Sequence, residues 1–244
     1  MHRISFAFWS FLLALSVCWL LADTLLPQPL SYFSFRAAFV QYTGVIGMGL
    51  MSLAMFLCVR PKWLERSLAG PAGLYRLHRW LGIGGLVFAL LHWWWAQGTK
   101  WMVGWGWLSR PARRPPSEAT LSWFEQWLRS QRGPAESLGE WAFYAAVVLI
   151  VLALVKPVAS RLFRHTHRWL AVVYLVLVYH SLLLVKPGYW SQPVGWITLV
   201  LLFCGTGSAV LLLAGRTGRR PVGIQKAPAS QSVAGAVERA ETRY

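Results

Sequence analysis

Acidic side chains are scarce in this chain: 8 Asp and Glu against 24 Lys and Arg in 244 residues, with charged residues of all kinds at 13%. A soluble domain carries about a quarter charged residues, so a charge-poor chain that is 56% hydrophobic with mean hydropathy +0.45 belongs in a bilayer. Cysteine is also sparse. Cys18, Cys58 and Cys204 lie inside apolar runs without CxxC spacing, which excludes a disulfide framework and a zinc site. A nucleotide-binding glycine motif is missing as well, since Gly82, Gly84 and Gly85 fall inside an apolar run and follow no strand. The formal charge of +16 is carried by short basic clusters between apolar runs, not along one face of a soluble module, which argues against nucleic acid.

What is abundant is apolar length. Six stretches, about 4–23, 37–59, 78–97, 138–155, 168–185 and 193–214, approach the roughly 20 residues a helix needs to cross the hydrocarbon core. The first follows Arg3 and could be a signal peptide, but no A-x-A-like cleavage site precedes Asp23. Basic residues cluster between spans two and three (Arg60, Lys62, Arg66, Arg76, Arg79), between four and five (Lys156, Arg161, Arg164, Arg168) and after six (Arg216, Arg219, Arg220). The positive-inside rule makes these segments and both termini cytoplasmic, in a bacterial-type inner (plasma) membrane. The loop of about 98–137 runs against the rule, carrying Lys100, Arg110, Arg113, Arg114, Arg129 and Arg132 against Glu118, Glu125 and Glu136. Within it a breaker run from Arg110 to Pro116 precedes Leu121, Phe124 and Leu128 at helical spacing, which predicts an interfacial helix over the outer face. Sixteen Trp, many at the ends of apolar runs, read as headgroup-level anchors. The fold expected is therefore an all-α integral membrane protein, a six-transmembrane-helix bundle over residues 1–215. A basic tail at 216–244 follows.

Four of the six histidines fall in a repeat. His78-Arg79-Trp80-Leu81 opens the third span and His92 comes near its outer end; His167-Arg168-Trp169-Leu170 opens the fifth and His180 comes near its end. A lone histidine at a helix end is ordinarily interfacial or hydrogen-bonded. Four in a duplicated pattern at two depths are a costly arrangement that points to function. Steps of fourteen and thirteen residues separate the two levels by roughly 20 Å. Two helices offering one imidazole at each level can hold two six-coordinate hemes, His78 with His167 on the inside and His92 with His180 outside. At about 100° per residue, His78 and His92 share a helix face, whereas His167 and His180 are about 140° out of phase. The fifth span must then be distorted, or the hemes offset around it. His165 suits an undistorted helix better, while His167 matches the repeat. Arg79 and Arg168 follow the inner histidines, where they could pair with heme propionates or serve as positive-inside charge. Arg36 could meet an outer propionate or act as a snorkelling anchor. Gly44, Gly47 and Gly49 in span two and Gly82, Gly84 and Gly85 in span three could admit a macrocycle or pack helices.

These residues resemble the ferric-reductase-like transmembrane domain shared by bacterial and eukaryotic ferric reductases and NADPH oxidases, over roughly residues 35–215. The resemblance implies six helices holding two b-type hemes on the third and fifth, with His78, His92, His167 and His180 as the iron ligands. It further implies electrons passing from a cytoplasmic FAD and NADPH domain through the inner and outer heme to an acceptor outside. That reductase domain should follow span six, yet the chain stops at Tyr244, and the segment from Val233 to Tyr244 reads as the opening strand of a flavin domain cut short. FAD and NADPH would act only through a missing domain or a separate cytoplasmic flavin reductase.

Three readings follow. The chain is a ferric-reductase-like oxidoreductase component, not a complete NAD(P)H-dependent reductase; or a non-catalytic heme subunit, similar to the one that feeds a periplasmic methionine-sulfoxide reductase; or a heme-free channel or transporter using its histidines for metal or proton passage. Membrane lipid is a partner in all three, nucleic acid in none, and the outer acceptor is left open.

Overall fold

The computed structural model describes residues 2–109, 122–154 and 160–216, with the backbone alone for 160–166. The described chain is helical, with no strand: α1 (His2–Leu20), α2 (Tyr32–Leu57), α3 (Lys62–Ser67), α4 (Pro71–Gly104), α5 (Trp123–Leu154), α6 (Ser160–Leu184) and α7 (Pro193–Leu213), with a 3-10 turn at Pro187–Ser191 before the last. The breaker run from Arg110 to Pro116, the side chain of His165 and the tail beyond Arg216 lie outside the described residues.

Local chemistry sets the starts of the long helices. Ser31 and Ser34 form a reciprocal capping box on α2, and Ser122 with Glu125 does the same ahead of α5. Gly70, at φ 85°, turns the chain into Pro71, whose fixed φ suits a first helical turn. The segment from Trp123 is helical as the spacing predicts, but it is not a separate interfacial element. It runs on through Pro134 into the fourth long apolar segment as one helix of 32 residues. A proline removes one backbone bond, and neighbouring helices can make good that loss.

The bundle is arranged around α2, which packs against α1, α4, α6 and α7, while α5 packs chiefly along α6. Small residues permit these approaches. A Cβ on Gly49 would stand 2.4 Å from Leu15, one on Gly84 3.0 Å from Phe8, and one on Gly205 2.1 Å from the Tyr174 hydroxyl. The buried stripe of α5, Ala135, Gly139, Ala142 and Ala146, follows helical spacing, and its Ala142 and Ala146 cluster with Val173 of α6.

Five helices, α1, α2, α5, α6 and α7, are long and apolar enough to cross a membrane. The 34 residues of α4 make about 50 Å of helix, ample to span, but its mean hydropathy is lowered by residues such as Arg76, His78, Arg79, His92, Gln97 and Lys100. The chain is an all-α, multi-pass membrane protein. Exposed tryptophans gather towards both ends of the bundle, Trp101, Trp105, Trp107, Trp123 and Trp127 at one and Trp63, Trp80 and Trp169 at the other, as headgroup anchoring requires.

At the first of these ends Asp23 ties the close of α1 to the α6–α7 connection. Its carboxylate accepts from Lys186 Nζ and, at 2.5 Å, from the Tyr189 hydroxyl. Burial works to raise the Asp23 carboxyl, but the bonds from Lys186 and Tyr189 outweigh it and hold the group below its usual value. Burial and then the adjacent carboxylate push the Tyr189 phenol up. Gln41 of α2 joins the cluster, donating to the Leu184 carbonyl and accepting from the Lys186 amide.

Candidate heme-binding site

The antiparallel packing of α2 and α4 explains how two of the histidines are held. His78 Nδ1 lies 3.0 Å from the Ala54 carbonyl oxygen, and His92 Nδ1 lies 3.0 Å from that of Val40. Both pairs of positions are fourteen residues apart, so the nearly in-phase step along α4 is matched by the same step along α2. The α6 histidines behave differently. His180 turns to α5, with Nδ1 2.8 Å from the Ala135 carbonyl oxygen, while the His167 ring stands beside that of His78. α6 is one continuous helix from Ser160 to Leu184, so no break in it absorbs the thirteen-residue step. The two α6 rings simply leave the helix in different directions.

The four rings meet in two pairs. The centroids of His78 and His167 are 5.8 Å apart with planes at 67°, and those of His92 and His180 are 6.2 Å apart with planes at 82°. A carbonyl oxygen can only accept, so in His78, His92 and His180 it is Nδ1 that carries the proton and Nε2 that keeps a lone pair. That is the tautomer of a metal-binding imidazole whose other nitrogen is fixed by the protein. A transition-metal ion held by one imidazole on each side, at about 2 Å from each nitrogen, separates the two centroids by about 6 Å. Among the described residues no group of three or more His, Cys, Asp or Glu could hold a bare metal ion. Two imidazoles without further protein ligands suit an iron whose other four positions are filled by a porphyrin.

Space is provided at the His92–His180 level. A cavity of about 400 Å³ lies between α2, α4, α5 and α6, reached by Arg36, Gly44, His92, Gly139 and His180 among others. Its volume and mainly apolar walls fit a large flat cofactor. Where α4 and α5 flank it, Trp93 stacks on Phe143 at 5.3 Å and donates to the Tyr144 hydroxyl at 3.3 Å, and Tyr144 donates to Glu140 at 2.6 Å. The residues present therefore fit a heme here.

The arginines are placed less uniformly. Arg36 lines the cavity, and its guanidinium donates to the carbonyls of Trp95 and Ala96, both at 3.1 Å, which holds it over the cavity's end. Arg79 is exposed. Arg168 is exposed and donates to the Leu213 carbonyl, closing the last turn of α7. The glycines divide too: Gly44 faces the His92 ring, Gly47 meets Phe88, Gly85 meets Met51, Gly49 and Gly84 receive α1, and Gly82 meets nothing within 4 Å. Glu136, Glu140, Gln41 and Gly139 also line the cavity and were not anticipated from sequence. The signal that could have found Gly139 is its place in the small-residue stripe of α5.

A profile of the family described as "Ferric reductase like transmembrane component" matches residues 43–178, more than half of the chain. The chain belongs to this family. Comparison with curated proteins finds no match. The matched segment runs from the middle of α2 into α6 and takes in His78, His92 and His167, stopping two residues short of His180. Membership makes the chain a membrane oxidoreductase component in kind.

Proposed function

We propose that this chain carries electrons across a membrane through two b-type hemes, one between His78 and His167 and one between His92 and His180. The observation that carries the reading is the pairing of four imidazoles at two levels, with centroids 5.8 and 6.2 Å apart. A heme held between two such imidazoles would supply a one-electron carrier, suited to electron transfer rather than to oxygen binding at the iron. The chain's own residues hold and orient. Ala54, Val40 and Ala135 accept the Nδ1 protons of His78, His92 and His180 and so leave each Nε2 lone pair available to iron. Arg36 offers positive charge at one end of the cavity, with Lys100 and Arg132 also lining it, where an anionic propionate edge would be neutralised. Arg79 and Arg168 offer charge beside His78 and His167.

In this reading six helices span, α4 included, and the end bearing Arg60, Arg79 and Arg216 faces the cytoplasm. An electron enters there from a flavin reductase, supplied by a separate protein or a further domain, and one leaves at the His92–His180 level to an outer acceptor. The test is heme quantitation and a reduced-minus-oxidised spectrum on detergent-purified protein. About two hemes per chain are expected, one lost on replacing His78 or His167 by alanine and the other on replacing His92 or His180, with His165→Ala leaving both. Well-folded protein without a Soret band would overturn the reading and favour a heme-free channel.

A further inference from the structure

The carbonyl oxygens that hold the histidines are not ordinarily open to a side chain. In an α-helix the Cα–Cβ bond tilts towards the N-terminus, so the side chain at i+4 covers the carbonyl of residue i. The oxygen already accepts the i+4 amide and has one more lone pair to offer, and a ring reaches it most directly where that cover is thin. Four residues after Val40 stands Gly44, and four after Ala135 stands Gly139. A Cβ on Gly44 would fall 3.2 Å from His92 Cε1 and 3.3 Å from its Nδ1. One on Gly139 would fall 2.0 Å from His180 Nδ1, 2.5 Å from Cε1 and 2.7 Å from Cγ, inside the ring's own volume. At the other level, Cys58 follows Ala54 by four, and its thiol leans on the same carbonyl, at 3.5 Å, that His78 uses.

We infer that Gly44 and Gly139 are positioning residues for the His92–His180 pair, each uncovering the backbone carbonyl that fixes its histidine's orientation and tautomer. The inference rests on the heme reading above and adds the residues that set the axial rings. Gly139 is the stricter of the two. A methyl there overlaps the ring itself and must displace it, whereas at Gly44 a shift of a few tenths of an ångström suffices. Replacement at Gly139 therefore releases the ring, and replacement at Gly44 tilts it.

The experiment uses the full chain with its heme, purified in detergent, as wild type, Gly44→Ala, Gly139→Ala and Gly207→Ala, the last filling open space on α7. Readouts are heme per chain, the low-spin ferric EPR signals and a redox titration, with His180→Ala defining which signal belongs to the His92–His180 level. Wild type and Gly207→Ala should hold two hemes with identical spectra. Gly139→Ala should lose about half the heme, keeping the His78–His167 signal as evidence that the fold persists. Gly44→Ala should keep both hemes and move only the signal and potential of the His92–His180 level. Should Gly139→Ala lose both hemes, Gly44→Ala decides, and an unmoved signal there overturns the inference. Wild-type spectra and potentials in both variants overturn it too, with the heme reading left standing. Wild type without heme overturns the heme reading itself, before any variant is made.

Discussion

The imidazole planes of His92 and His180 stand at 82° to one another across 6.2 Å, close to perpendicular. Each ring is fixed by a different helix, His92 by Val40 of α2 and His180 by Ala135 of α5. The crossing is therefore a property of the bundle and not of two free side chains. His78 and His167 cross less steeply, at 67°.

Crossed axial rings leave the iron orbitals that they perturb nearly degenerate, and parallel rings split them. With the two hemes of the proposed function bound, oxidised protein should accordingly give two strongly anisotropic low-spin EPR signals, the more anisotropic from the His92–His180 level and absent in His180→Ala. An ordinary rhombic pair of signals would show that the rings turn parallel when iron binds.

Between the two histidine levels, α2, α6 and α7 are locked by one buried phenol. The Tyr174 hydroxyl pairs with Ser52 Oγ at 2.8 Å, in a site where both residues are fully buried and Gly205 leaves room for the oxygen. Tyr174→Phe leaves Ser52 without its partner and should cost about 1–3 kcal/mol. Gly205→Ala, whose Cβ would lie 2.1 Å from that hydroxyl, should cost about 1–3 kcal/mol by overpacking. The two share an atom, so in a double-mutant cycle the pair should cost less than the sum. Additive losses in thermal or denaturant unfolding would place the strain elsewhere.

The Asp23 cluster gives an acid-sensitive component of stability. A carboxyl held below its ordinary value of 3.8 contributes fully above that pH, and the contribution is lost as pH falls through the lowered folded value. Lys186 is partly exposed, so solvent screening limits the effect, and Asp23→Asn should cost roughly 1 kcal/mol at neutral pH. The same change should flatten the fall in melting temperature below about pH 4 relative to wild type. Equal acid slopes in the two proteins would remove Asp23 from the account.

How much of this was legible in the sequence differs between parts of the site. Which imidazoles meet could be read, because the repeat sets both histidines of each helix near a common spacing and the two helices, α4 and α6, run in the same direction, so that equal depths come together. What each ring's Nδ1 does could not. Val40, Ala54 and Ala135 enter through backbone oxygens, and a carbonyl leaves no mark in side-chain identity. Gly139 is one of 21 glycines and acquires meaning only once α6 delivers His180 against it. The long apolar stretches gave the helices but not their ends. α5 continues through Pro134, with Ala135 fully buried just beyond it and its carbonyl taken by His180. The phase mismatch on α6 likewise has no break in the helix behind it, since two rings can leave one continuous helix towards different neighbours.

The first helix offers the sharpest contrast between two like residues. Trp19 is fully buried, edge-on to Tyr42 of α2 at 5.1 Å and in one buried cluster with Tyr189, whereas Trp9 is 61% exposed on the same helix. Trp19→Ala opens a large cavity and cuts the link from α1 to the Asp23 cluster, so it should cost about 3–5 kcal/mol. Trp9→Ala removes a ring that faces lipid or detergent and should stay within about 0.5 kcal/mol. Unfolding of both variants in the same detergent measures the difference. Similar losses would mean that α1 is held by its hydrophobic surface alone, and a large loss confined to Trp19 would mean that it is held by its contacts with α2 and the turn at Tyr189.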